Sequence, residues 1–522
     1  MKTALRLSSV VTPEKVSGLS GEDRLDRLVL PVVLLLVFAI AARTPLDTDT
    51  WWHLRAGEQT WTAKQILLSD PFSYTRYGQP WTNHSWLAQV GMYLVFHLGG
   101  PVALSGVMGL AAAASMGLVY LQMRGSPLLK GFVLIFAAVV ASMVWTPRPQ
   151  LLSLLMFGLT AYLLYLFKWK RKGTLAWLPP IFILWSNLHG GYVLGFLLIT
   201  GMLAGELLNH LLGYEGEEIV PWRSIGRLAS WGGLCLLAVL INPNGIHTWL
   251  IPFQTVGVQA LQAYISEWAS PDFHAITQQP MLWLLLGTFA AVGFSRNRLD
   301  GTDFVWFAGF ALMAFVARRN FGPFAMAAAP VLVRHLDAGL SAWKERTAPA
   351  WRNWVESHRL EKYFRNSGRQ ASPKFALVVN MLLITAITVA VGIKWIAVSN
   401  PAFFTQKESE LYPAAAVEWI QANRPEGRMF NGYNWGGYLI WRLREAPVFI
   451  DGRTDLYGDE IIGQWLQAVN AKDDWQTVLD DWQVGYVFIE RYQPLAGALQ
   501  KAGWRLAYSD QQAVIYTRPD QP

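Results

Sequence analysis

Asp47 and Asp49 stand two residues apart in the stretch LDTDTWWHLRAGE, with His53, Arg55 and Glu58 close behind. A carboxylate placed there can take the proton of an attacking hydroxyl. Asp49 and His53 are four residues apart, so on a helix they share one face and can act together, as base and neighbour or as a pair of ligands for a divalent metal ion. A plainer reading makes Asp49 the N-cap of a helix beginning at Thr50, with Trp51 and Trp52 as interfacial anchors, which leaves Asp47 free for chemistry. Both readings can hold at once.

Polar motifs of the same kind recur along the chain. They are WTNHSW with Asn83 and His84, TPRPQ with Arg148, SNLHGG with Asn187 and His189, NPNGIH, SEWASPD with Glu267, and ARRN with Arg318 and Arg319. The planar forks of Arg148, Arg318 and Arg319 suit phosphate oxygens, and their plain alternative is snorkelling to lipid headgroups. His84 and His189 can hydrogen-bond a sugar or ligate an ion, as can their asparagine neighbours bond a hydroxyl, although a lone histidine at a helix end is commonly structural. Glu267 lies in a loop free of Lys and Arg and is a reserve acid or metal ligand. Asp451, Gly452 and Arg453 follow a predicted strand and read as a turn.

The elements that must position these motifs are membrane helices. Apolar residues make up 53% of the chain and charged ones only 15%, with 26 tryptophans and a mean hydropathy of +0.25. A polytopic α-helical membrane protein follows. The net charge of +7 is a topology signal rather than a nucleic-acid footprint, because the basic residues gather at the ends of apolar segments. The lone Cys235 excludes an intrachain disulfide, and no cleavable signal peptide is evident in the polar N-terminus. Apolar runs predict about eleven spans, at 28–42, 101–123, 128–145, 150–167, 175–187, 192–212, 225–241, 281–294, 304–317, 321–333 and 375–398. The run 86–98 is too short for a span and is placed in the interface. With the N-terminus inside, KWKRK (168–172) and the basic stretch 334–374 face the cytoplasm, as the positive-inside rule requires, and every polar motif above falls on the outer face. Polar groups concentrated on one side of a membrane domain predict a cavity there.

The expected organisation is a cytoplasmic segment 1–27, a transmembrane domain 28–336 with an outer loop 43–100, a basic cytoplasmic linker 337–374, a last span 375–399 and an extracytoplasmic α/β domain 400–522. The last is read from alternating helix and strand patterns such as PAAAVEWIQAN, MFNGY, PVFIDGR, YVFIE, QPLAGALQKAG and AVIYTR.

An acidic, aromatic first outer loop, a many-helix bundle and an outer C-terminal domain together resemble the GT-C superfamily of membrane glycosyltransferases. The run DTDTWWHLRAGE is similar to the first loop of oligosaccharyltransferase catalytic subunits. FNGYNWGGYLIWR, followed by FIDGRTDLYG, is similar to their WWDYG segment, with Trp435, Gly436, Gly437 and Tyr438 in place of the full pentapeptide. The resemblance implies a polyprenyl-phosphate-linked sugar donor, a glycan, lipid or protein acceptor, and a place in the inner (plasma) membrane. It implies Asp47 or Asp49 as catalytic residue; the residues themselves put the three arginines forward for the donor phosphate, and His53, Arg55, Asn83, His84, Asn187, His189, Glu267, Trp435 and Tyr438 as candidates around the substrates. The expected reaction is an inverting hexosyl or pentosyl transfer, with a divalent metal as the only cofactor in question. Oligosaccharyl transfer to protein is the alternative within the enzyme class. A non-catalytic lipid- or glycan-binding protein or a transporter is the alternative outside it, but a transporter would carry two related halves and no such repeat is visible.

Overall fold

The computed structural model describes residues 21–258, 265–357 and 373–519. Most of the N-terminal segment and the second half of the basic linker therefore lie outside the described residues. The first part of the chain is helical: α1 (Gly21–Ala41), α2 (Thr50–Ala63), α3 (Trp86–Gln122), α4 (Pro127–Ala141), α5 (Gln150–Lys170), α6 (Leu178–Leu188), α7 (Val193–Leu211), α8 (Trp222–Ala238), α9 (Ile251–Gly257), α10 (Gln279–Phe294), α11 (Gly301–Val316), α12 (Phe321–Ser357) and α13 (Pro373–Ser399). Each apolar run of the sequence falls on one of these helices. Among the described residues five helical stretches are long and apolar enough to cross a membrane, and α1, α6 and α11 supply shorter apolar ones.

The short run 86–98 is explained by its end. Gly99 and Gly100 leave the helical region, Gly100 at φ 59° and ψ −153°, and Pro101 starts a new helix, so α3 is two helices joined at a break. The first of them packs on α2 through a close backbone approach: a Cβ on Gly57 would lie 2.1 Å from the Gln89 carbonyl oxygen. Phe96 meets Phe404 and Trp441 of the C-terminal part. This segment thus belongs with the loop helix and the C-terminal region, not with the span that follows it.

Small residues set the helix contacts, as expected where lipid supplies no hydrophobic drive between helices. Gly109 faces the Phe38 ring and Gly205 lies against the backbone of Gly301 and Thr302. Where α7 meets the start of α11, a buried polar knot forms. The Lys168 ammonium donates to Glu206, to Asp300 at 2.8 Å and to Thr302, the Thr302 hydroxyl donates to Glu206 at 2.8 Å, and the backbone N–H groups of Val220 and Gly301 donate to Glu206 and Asn209. Lys168, read as part of the basic block KWKRK facing the cytoplasm, is a fully buried ion-pair member, whereas Lys170 to Lys172 are exposed.

After Ser399 the chain forms a four-stranded sheet of β1 (Arg428–Asn431), β2 (Val484–Glu490), β3 (Arg505–Ser509) and β4 (Ala513–Thr517) in the order β1-β2-β4-β3. β1 runs parallel to β2, and β4 pairs antiparallel with β2 and β3. Every residue of the central strand β2 is buried, which its near-continuous apolar sequence requires. PVFID, read as a strand, does not join this sheet. Val448 instead forms a single bridge with Ser73, so the segment pairs with the first loop. Beside it the Arg453 guanidinium donates to Asp451 and Asp70, and the Tyr457 hydroxyl also donates to Asp451, all of them buried. What the sequence suggests as a turn is a buried ion-pair clamp between the first loop and the C-terminal region.

Candidate functional site

The site is built around one guanidinium. Pro147 and Pro149 flank Arg148 and keep the chain out of the helix until α5 begins at Gln150. The Thr50 hydroxyl donates to the Pro147 carbonyl at 2.9 Å, which ties the start of α2 to this turn. Arg148 then grips Asp47 with its Nε and Nη2, the latter at 2.9 Å from Oδ2. Its Nη1 stands 3.0 Å from Asp49 Oδ2 and 3.1 Å from Glu267 Oε1. Loops far apart in sequence, carrying Asp47, Asp49, Arg148 and Glu267, thus share one ion cluster.

Asp49 occupies the N-cap position of α2, but its side chain makes no capping bond. Asp47 Oδ1 holds the Asp49 backbone N–H at 3.0 Å, and the Asp49 carboxylate is turned to Arg148. Burial pushes its pKa up to about 7, against the pull of Arg148 and with the help of the Asp47 charge. Two glycine-bearing motifs of the C-terminal region close over it. A Cβ on Gly452 would lie 1.9 Å from Asp49 Oδ1, and one on Gly437 would lie 2.4 Å from the Thr48 carbonyl oxygen. DGR and WGGY are therefore shaped by their approach to the acidic loop.

Glu267 links this cluster to the second arginine pair. Its carbonyl accepts from the Arg319 N–H at 3.0 Å, and the Ala269 carbonyl accepts from the Arg318 N–H. The Arg319 guanidinium lies over the Trp268 ring, 4.2 Å from its centre. Arg318 Nε is buried without a hydrogen-bond partner. Among the described residues neither Arg318 nor Arg319 forms an ion pair, whereas Arg148 faces three carboxylates.

Three histidines complete the surroundings. His189 Nδ1 accepts from the Gly191 N–H at 3.0 Å and from the Ser153 hydroxyl at 2.9 Å, and Ser153 in turn accepts from Trp185. With Nδ1 accepting, the neutral ring carries its proton on Nε2 as a donor. His84 stacks edge-on to it at 5.6 Å. Burial lowers the pKa of His53, His84 and His189, so all three are neutral near pH 7.

The remaining sequence candidates are engaged elsewhere. His53 Nδ1 faces Gln89 at 3.3 Å rather than Asp49, and Asn83 pairs with the same Gln89 through both its amide atoms. Asn187 accepts from Trp86 and donates to the Ile183 and Ile241 carbonyls, and Arg55 pairs with Glu58. Trp435 packs on Phe488, and Tyr438 is fully buried and stacked on Tyr412. These side chains build the scaffold of the site.

The acidic trio also bears on the metal expected from Asp49 and His53. The Arg148 guanidinium already occupies the position among Asp47, Asp49 and Glu267 where a cation would sit, His53 is turned away, and among the described residues no group of three or more His, Cys, Asp or Glu converges for a metal. The residues as arranged do not fit a divalent ion. Ser153, Gln89, Trp268 and Gly452 are site residues that sequence reasoning passes over. Ser153 and Gln89 are isolated polar residues in apolar helices, a signal that is visible but ambiguous.

Neither family models nor curated proteins match the chain. Solved structures do. The archaeal oligosaccharyltransferase AglB from Archaeoglobus fulgidus, in complex with an inhibitory peptide and a dolichol-phosphate, aligns over 95% of this chain and 75% of its own at 13% identity, with a TM-score of 0.57. The Archaeoglobus fulgidus oligosaccharyltransferase tethered with an acceptor peptide containing the NVT sequon aligns over 95% and 74% at 14% identity and a TM-score of 0.56. ArnT from Cupriavidus metallidurans in the apo state aligns over 94% and 97% at 12% identity and a TM-score of 0.50. At such identities the likeness is one of fold, and the chain has a GT-C-like fold.

Proposed function

We propose that the chain is an integral membrane glycosyltransferase that moves a hexosyl or pentosyl unit from a polyprenyl-phosphate carrier to an acceptor on the outer face of the inner (plasma) membrane. The observation that carries this reading is the Asp49 carboxylate, released from helix capping and raised by burial, joined through Arg148 and the Glu267 loop to Arg318 and Arg319, two arginines without ion-pair partners among the described residues. Asp49 takes the proton of the acceptor hydroxyl as that oxygen attacks the anomeric carbon. The carrier phosphate leaves from the opposite side, and Arg318 and Arg319 neutralise its charge. A single displacement inverts the anomeric centre. Asp47 and Glu267 hold Arg148, and Arg148 orients Asp49, so the role read from sequence for Arg148 passes from the phosphate to the base. His189 presents its Nε2 proton to a sugar hydroxyl.

The fold likeness to AglB, a protein described with a dolichol-phosphate, supports the class of donor. It also favours oligosaccharyl transfer to a peptide as a second reading. Against that reading, Trp435 and Tyr438 are 6% and 0% exposed and present no surface to an acceptor. The N-terminus is cytoplasmic and the region after residue 400 extracytoplasmic on this proposal. The experiment is incubation of the purified protein with a panel of polyprenyl-phosphate sugars, following release of the polyprenyl phosphate. Release that depends on one donor and an added acceptor supports the reading, and no release from any donor, including lipid-linked oligosaccharides, refutes it.

A further inference from the structure

At the other end of the helix bundle, α4, α10 and α12 enclose an elongated groove of about 700 Å³, within the roughly 300–1,000 Å³ of ligand pockets. Its first residue on α12 is Leu332, 13 residues beyond Arg319 along the chain, or about 20 Å at helical rise, so it is separate from the candidate active site. Its wall is apolar, with Phe132, Phe294 and Trp343 open along it. Two features break that apolar character. His335 lines the groove, is fully buried, and has no hydrogen-bond partner at either ring nitrogen. Two such unsatisfied atoms cost free energy unless something bonds them. Arg296 and Arg346 also line it, both exposed, and among the described residues no acidic side chain does.

We infer that this groove is a binding site for an anionic phospholipid, a site unrelated to the sugar donor. An acyl chain lies along Phe132, Phe294 and Trp343 toward His335, and the phosphate meets Arg296 and Arg346. The lining runs from His335 at the inner end along the apolar wall to the exposed cations Arg296 and Arg346, as an acyl tail and an anionic headgroup require. The site faces the side on which the sequence reading places the basic linker.

Native mass spectrometry of the detergent-solubilised protein, incubated with phosphatidylglycerol or with phosphatidylcholine of the same acyl chains, tests the inference without any assay of activity. The wild type is expected to retain one phosphatidylglycerol at least about tenfold more tightly than phosphatidylcholine. Arg296→Gln with Arg346→Gln, two exposed positions that leave the fold intact, should abolish that preference. Gly287→Phe should exclude both lipids, since a Cβ at Gly287 meets no atom within 4 Å and the ring can enter the groove. Equal retention of the two lipids by the wild type, an unchanged preference in the double arginine variant, or full retention by Gly287→Phe would overturn it.

Discussion

Two clusters of charge in this chain use the same residue types to opposite ends. Around Lys168, the ammonium, Glu206, Asp300, Asn209 and Thr302 are closed on one another and on backbone N–H groups, with the charged side chains 0–8% exposed. Around Arg148, Asp47, Asp49 and Glu267 remain 12–30% exposed, and Arg318 and Arg319 stand beside them with no ion pair among the described residues. The first cluster is saturated and can only hold helices together. The second has arginines without ion pairs among the described residues, a partly exposed carboxylate and a raised pKa, which is what the proposed chemistry requires. Saturation, not charge count, separates a structural polar knot from a chemical one.

Substitutions can break that comparison on either side. The largest effect falls on turnover in the open cluster. Asp49→Asn keeps the size of the side chain and removes the base, so polyprenyl-phosphate release should fall by about 10²–10⁴ with only a small change in unfolding temperature, since Asp49 makes no capping bond and Arg148 keeps Asp47 and Glu267 as partners. Asp47→Asn should cost less, about tenfold, because it loosens Arg148 without removing the base. Normal release by both variants would take the first loop out of the mechanism.

The closed cluster should respond in stability alone. Lys168→Met leaves Glu206 and Asp300 buried without their cation and should cost about 3–5 kcal/mol, read as a lowered unfolding midpoint in detergent. Release per folded molecule at low temperature should stay near that of the wild type. A variant that folds normally but has lost turnover would erase the distinction drawn between the clusters.

A smaller effect sharpens the role of the free arginines. Arg319→Lys keeps the charge and loses the fork and the flat contact with Trp268, so use of the donor should weaken about tenfold, and Arg319→Gln should weaken it further. Headgroup snorkelling predicts instead that lysine serves as well as arginine. Kinetics at limiting donor decide between them.

Much of this arrangement is legible in the sequence because apolar run length fixes helices. The polar motifs LDTDT, TPRPQ, SEWASPD and ARRN are likewise conspicuous against an apolar background, and the fold brings all four together. What stays hidden depends on distant contacts. That Asp49 turns from its helix to Arg148, that Gly452 must lack a side chain, and that PVFID pairs with the first loop instead of the sheet all arise from segments about 100 to about 400 residues apart. β3 escapes because RLAYS is an exposed edge strand with little apolar alternation. The neighbours that Asn83, Asn187, Arg55, Trp435 and Tyr438 contact are not legible, because a polar or aromatic residue near a motif has the same appearance whether it faces the cavity or supports its wall.

The central claim is that Asp49, raised by burial to about pH 7, is the proton acceptor of the transfer. The sign follows directly: the ionised form is the base, so activity is lost as pH falls through about 7 and is complete above it. A donor phosphodiester does not titrate in this range, and burial keeps His53, His84 and His189 neutral through most of it. The measurement is the pH dependence of polyprenyl-phosphate release at limiting donor, from about pH 5 to about pH 9, for the wild type and Asp49→Asn. The account predicts a wild-type rate that rises about tenfold per pH unit up to about 7 and then levels, with a flat residual rate in the variant. A flat wild-type profile, or the same rise in Asp49→Asn, would contradict it.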